Sequence, residues 1–110
     1  TLLLLVLSLA CCGVAEGLSC YVTPEPCIAD RGYGGGCLED VGVLFQCPTP
    51  QHVCRTVIRV GEPSYYFINK TCDLTCQPSE DPEALREGIQ VWETVDCCSA
   101  ELCNEQNLPE

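Results

Sequence analysis

Residues 97–104 read CCSAELCN, the most specific stretch in the chain. Two adjacent cysteines, four intervening residues, a third cysteine and an asparagine follow directly on residues 89–96 (IQVWETVD), a β-branched run that reads as a strand. These cysteines belong to a larger set, 12 among 110 residues. A fraction above roughly 8–10% in a short chain marks a disulfide scaffold. The length allows one domain. With no Met, one Trp and two Phe, there is little bulk for a large apolar core. The expectation is a small, disulfide-rich, all-β module.

Upstream, residues 2–10 (LLLLVLSLA) form a continuous apolar run. It is too short to span a bilayer, which takes about 20 apolar residues, but it suits the h-region of a secretory leader. Ala15 and Gly17 flank Glu16 as a small-x-small cleavage signal, placing the mature start at Leu18. Residues 1–17 therefore read as a signal peptide that lacks its first residues, since Thr1 is preceded by no Met or basic segment. A lipoprotein signal at Cys11 or Cys12 fits less well, because Ser8 stands where that motif wants Leu. Cleavage leaves Cys20, Cys27, Cys37, Cys47, Cys54, Cys72, Cys76, Cys97, Cys98 and Cys103. An even number in a secreted chain predicts five bridges, although ten cysteines admit more than the roughly hundred pairings open to eight.

Charge is uneven along the chain. The total is -11 at pH 7, yet residues 18–72 balance five acids against four bases. Residues 73–110 carry ten acids and a single base, Arg86. That balance excludes nucleic acid and anionic lipid as partners, because phosphate binding needs Lys and Arg to displace counterions. One reading of it is a solvated face that keeps a secreted protein soluble and monomeric; the sharper one is a steering surface for a basic partner.

The clearest hairpin is central. Residues 54–60 (CRTVIRV) alternate Arg55, Val57 and Arg59 with Thr56, Ile58 and Val60, residues 65–71 (YYFINKT) form a second strand, and Gly61-Glu62-Pro63-Ser64 is turn material. Residues 20–23 and 43–47 read as short strands. The strand at 89–96 is expected to pair near Leu74-Thr75-Cys76, and Pro82 behind Asp81 is expected to open one helical turn. Residues 34–36 are three glycines, but no Lys-Ser/Thr follows and no strand-to-helix setting surrounds them, so they read as a loop tip and not a phosphate cradle.

No catalytic constellation emerges. The single histidine, His52, has no partner nucleophile in sequence, and the His-Asp helix pair of secreted phospholipases is absent. Glu39-Asp40 and Glu80-Asp81 are adjacent carboxylates in solvated loops, whereas acid–base work needs opposed groups with split pKa values. Cys72-x3-Cys76 approaches a zinc spacing, but thiols in an oxidising compartment pair with each other. The acids of 80–87 lack the alternating ligands of an EF-hand. No metal or cofactor is expected. Asn69-Lys70-Thr71 is an N-x-T glycosylation acceptor.

The C-C-x4-C-N ending, the Leu18-Ser19-Cys20-Tyr21 opening, Cys47-x6-Cys54, Cys72-x3-Cys76 and the aromatic middle hairpin together resemble the three-finger superfamily of lymphocyte-antigen-6 proteins, urokinase-receptor domains and snake toxins. The resemblance covers residues 18–104, leaving 105–110 as a short acidic tail. It implies three antiparallel hairpins on a disulfide palm, at 21–46, 55–71 and 77–96, and bridges Cys20–Cys54, Cys27–Cys37, Cys47–Cys72, Cys76–Cys97 and Cys98–Cys103. It also implies that Asn104 ties the chain end to the palm. One feature departs from the family: its second cysteine usually follows the first as C-x2-C, whereas Cys27 lies seven residues after Cys20. The long, glycine-rich first finger marks a divergent member.

The function so implied is that of a secreted, non-enzymatic ligand or modulator of an extracellular protein, foremost a cell-surface receptor. Its contacts are expected at Arg59, Glu62 and Ser64 on the second finger and Glu80, Asp81, Glu83 and Glu87 on the third, facing a basic patch. Toxin-like modulators of nicotinic receptors present basic tips, which the acidic half here does not copy. Acidic, freely secreted relatives include courtship pheromones, so a pheromone-type signal is one form of this reading. The alternative is a secreted inhibitor of a basic enzyme such as phospholipase A2. Residues 105–110 (EQNLPE) carry no apolar glycolipid-anchor signal, which predicts free secretion.

Overall fold

The computed structural model describes residues 17–29, 41–62 and 65–106. Residues 1–16 of the expected leader, the glycine run at 34–36, Cys37, Glu39-Asp40, and the turn residues Pro63 and Ser64 lie outside them.

The described chain forms seven strands: β1 (Ser19–Val22), β2 (Cys27–Ala29), β3 (Val43–Gln46), β4 (Val53–Gly61), β5 (Tyr65–Asp73), β6 (Ser79–Arg86) and β7 (Ile89–Cys98). All pairings are antiparallel. The β4–β5 hairpin is centred where the alternating pattern puts it, with Val53 opposite Asp73 and Gly61 opposite Tyr65. β7 joins the free edge of β4, β6 lies outside β7 and β2 lies outside β5, giving a five-stranded sheet in the order β2-β5-β4-β7-β6. β1 and β3 form a separate two-stranded sheet. The hairpins β1/β3, β4/β5 and β6/β7 are the three fingers of a small, disulfide-rich three-finger fold.

Two expectations fail in the third finger. No helical turn begins at Pro82, and β7 does not pair near Leu74-Thr75-Cys76. Instead residues 79–86 are strand β6, paired with β7 from Ser79 opposite Val95 to Arg86 opposite Ile89. Proline is tolerated because β6 is an edge strand and Pro82 falls in the register shift between Asp81 and Ala84, where no ladder N–H is required. The two-residue turn is Glu87-Gly88, both with positive φ, 52° and 80°. That is the geometry that matches the right-handed twist of the flanking strands.

Four bridges clamp the strand ends: Cys20–Cys54, Cys47–Cys72, Cys76–Cys97 and Cys98–Cys103. Cys27 is also disulfide-bonded, and Cys37, its expected partner, lies outside the described residues. Cys20, Cys47 and Cys54 are fully buried and pack with Leu18, Cys72, Cys98 and Cys103 into a sulfur-rich palm. A second, smaller core of Ile58, Tyr66 and Ile68 lies on one face of the central hairpin, against Cys27. Burial there pushes the Tyr66 hydroxyl up to about 12.

The chain end is tied to this palm by side-chain chemistry. Asn104 accepts from the Tyr21 N–H at 2.9 Å and donates from Nδ2 to the Tyr21 carbonyl at 2.7 Å, as a paired strand residue would. Beside it, the Leu102 N–H donates to the Ser19 carbonyl and Glu101 accepts from the Ser19 N–H. Lys70 is wholly buried and donates to the carbonyls of Val41 and Glu105, linking β5 to the entry of β3 and to the tail.

Candidate functional site

Strand alternation divides the five-stranded sheet into two faces. On one face, Phe67, Arg59, Glu93 and Asp81 are register partners in a single row across β5, β4, β7 and β6. Arg59 Nε lies 2.7 Å from Glu93 Oε2, and its guanidinium sits 4.3 Å above the Phe67 ring. Arg86 closes on Glu93 from the other side, donating from Nε to Oε2 at 2.9 Å and from Nη2 to Oε1 at 2.8 Å. The hydrogen bond from Arg86, helped by Arg59 and opposed by burial, holds the Glu93 carboxyl below the ordinary carboxylate range. Two guanidiniums thus stabilise a buried charge that alone would be costly, and Arg86 is itself held charged by Glu93 and, more weakly, by Asp81.

The opposite face differs. Val60 and Trp92 are register partners there, and they remain 38% and 49% exposed. With Glu62, Pro82 and Ile89 they line an open groove between the ends of the second and third fingers. An exposed tryptophan beside an exposed valine is an apolar contact surface that folding has left unused. Glu62, Glu80, Asp81, Glu83 and Glu87 are all exposed on these two fingers.

The expected contact residues therefore separate into two groups. Glu62, Glu80, Glu83 and Glu87 stand free on the surface. Arg59 does not project from its tip; it is drawn against Phe67 and Glu93. Asp81 is exposed but engaged, accepting from the Glu83 N–H, and Ser64 lies outside the described residues. Sequence reasoning did not single out Val60 and Trp92, which no local pattern distinguishes from the other apolar residues of their strands. It also passed over Val43, Leu44 and Phe45, all exposed on β3 of the first finger. Asn69 is half-buried on β5.

Neither catalysis nor metal binding gains support from the described residues. The His52 ring sits in a local turn, its Nδ1 2.7 Å from the Thr49 hydroxyl. The close sulfur groups, Cys20 with Cys47 and Cys72 and Cys54 with Cys98 and Cys103, are all disulfide sulfurs, which offer no thiolate to a metal. Among the described residues, no helix is long and apolar enough to cross a membrane.

With this geometry stands a family match. The model for snake toxin and toxin-like proteins matches residues 18–104. The chain belongs to that family. Its relatives lie on the Ly6/uPAR side of the three-finger superfamily. It is 35% identical to Ly6/PLAUR domain-containing protein 2 of Homo sapiens over 98% of this chain and 80% of the relative. It is 32% identical to lymphocyte antigen 6D of Bos taurus, over 94% of this chain and 70% of the relative. Identity to secreted Ly-6/uPAR-related protein 1 of Mus musculus is 26%, over 92% and 84%. Ly6/uPAR proteins are generally non-enzymatic and bind extracellular or cell-surface proteins.

Proposed function

We propose that this Ly6/uPAR-like protein is a secreted, monomeric, non-enzymatic ligand that docks on a cell-surface receptor through the groove between its second and third fingers. The observation that carries the reading is the exposed Val60–Trp92 pair, in a groove that Glu62 lines between fingers that also expose Glu80, Glu83 and Glu87. An aromatic anchor at the centre of a polar rim is the arrangement of binding hot spots. The acidic rim selects a partner that carries Lys and Arg around an apolar pocket and accelerates encounter with it. A pheromone-type signal is one use of such a ligand.

The test is saturable binding of labelled protein to receptor-bearing cells. Trp92→Ala is expected to weaken it at least tenfold, since such anchors cost about 2 kcal/mol or more when truncated. Joint neutralisation of Glu80, Glu83 and Glu87 to Gln is expected to slow association and flatten its salt dependence while dissociation changes little. Binding that is indifferent to Trp92 but abolished by changes at Val43, Leu44 and Phe45 would move the site to the first finger. Salt-dependent capture and inhibition of a basic secreted phospholipase A2, without cell binding, would favour the inhibitor reading instead.

A further inference from the structure

The N-x-T triplet at Asn69-Lys70-Thr71 is the sole one in the chain, and the receptor-binding surface makes no use of it. β5 alternates strictly here: Tyr66, Ile68 and Lys70 are buried, while Tyr65, Phe67, Asn69 and Thr71 are half-open. Asn69 therefore projects from the side of β5 that the Ile58–Tyr66–Ile68 core does not use.

Its amide is also oriented. The Thr23 hydroxyl accepts from the Lys70 N–H at 2.9 Å and lies 3.0 Å from Asn69 Oδ1, to which it donates. The competing acceptor, the Lys70 carbonyl, is farther at 3.5 Å and already accepts from the Thr23 N–H at 2.9 Å. The hydroxyl proton is thus committed to the amide oxygen. Asn69 Nδ2 makes no hydrogen bond among the described residues and is turned away from the Thr23 contact.

We propose that Asn69 carries an N-linked oligosaccharide and that the folded protein is built to accept it. The donor is a lipid-pyrophosphate-linked oligosaccharide. Asn69 Nδ2 forms a bond to the anomeric carbon, the bond from that carbon to the pyrophosphate oxygen breaks, the lipid pyrophosphate leaves, and Nδ2 loses one proton. No electron transfer is involved. Transfer to the extended, newly translocated chain needs the Thr71 hydroxyl, which in the folded state donates to Asp73 Oδ2 at 2.7 Å. Because Asn69 shares the sheet face of Phe67, Arg59 and Glu93, the sugar lies on the side opposite Val60 and Trp92. It therefore leaves the proposed docking groove open.

The inference rests on the secretory reading, and the experiment separates the two. The full chain, its leader completed with an initiating Met and a basic segment, is expressed in a secreting animal cell line, and medium and cytosol are analysed by intact mass before and after peptide N-glycosidase. The expected product is in the medium with its bridges formed, heavier than the polypeptide by one glycan, and the enzyme removes that mass while deamidating Asn69. Asn69→Gln and Thr71→Ala are expected to lose the glycan, and Thr71→Ser to keep it. A bridged chain in the medium at bare polypeptide mass overturns the glycan and leaves secretion standing. A reduced chain retained in the cytosol overturns both. An enzyme-sensitive mass that persists in Asn69→Gln overturns the assignment to this residue.

Discussion

Asn104 and Glu93 are both buried polar side chains, and their surroundings make them opposite cases. Asn104 substitutes for a strand partner, so its loss leaves the half-buried Tyr21 N–H and carbonyl without that bond. Each such group costs about 1–3 kcal/mol. Asn104→Ala is therefore expected to lower the unfolding free energy by about 2–4 kcal/mol, measured in denaturant with the bridges intact. Glu93 is different because its value is electrostatic. A carboxyl held below its ordinary value of 4.5 stabilises the fold fully above that pH and loses the contribution as pH falls through its lower folded value. Wild type is expected to exceed Glu93→Gln by about 1–2 kcal/mol at pH 7, with the gap narrowing steadily below pH 4.5. A gap constant from pH 7 to pH 3 would show that packing, and not the ion triad, carries the effect. Asn104 was legible as part of a motif; Glu93 was one of sixteen acids with nothing in its flanks to mark it.

At the scale of elements, the second and third fingers contrast. The central hairpin was readable because β-branched and aromatic residues alternate on both sides of a glycine-proline turn, and local pattern sets its register. The third finger was misread because its first strand, SEDPEALR, is acidic, contains proline and has no period-2 apolar signal. It is a strand because β7 supplies a ladder and Pro82 sits in the bulge. Only Ala84 of this strand is buried. Its turn supplies a test. A Cβ added at Gly88 meets no atom within 4 Å, so Gly88→Ala costs only the left-handed backbone at φ 80°. The expected loss is about 1–2 kcal/mol by thermal unfolding. Glu87→Asn keeps the same turn with a residue that enters this region readily, and it is expected to raise the midpoint.

For the whole molecule, the balance lies between bridges and a thin core. Among the described residues, the two buried apolar clusters are small, and one consists largely of cysteine. Bridges spanning 34, 25 and 21 residues each contribute about 2–4 kcal/mol in the chain-entropy model. Full reduction at neutral pH is therefore expected to abolish amide chemical-shift dispersion, whereas the bridged form keeps it in moderate denaturant. Trp92 is half-exposed already, so its fluorescence is expected to move little and is the wrong probe. A reduced chain that retains dispersion would place the stability in the sheet.

The sequence alone determined the scaffold class, the central hairpin and the acidic bias of residues 73–110, because cysteine spacing, strand alternation and charge are local properties. Only the tertiary structure decided which charges are free. Cross-strand register brings Arg59, 34 residues away in the chain, and Arg86, from the neighbouring strand, onto Glu93, so that neither guanidinium is left unpaired. The same register sets Val60 beside Trp92 on the other face. A pairing of strands thirty residues apart, and not any property of either strand, makes one row of side chains an internal brace and the next an open contact surface.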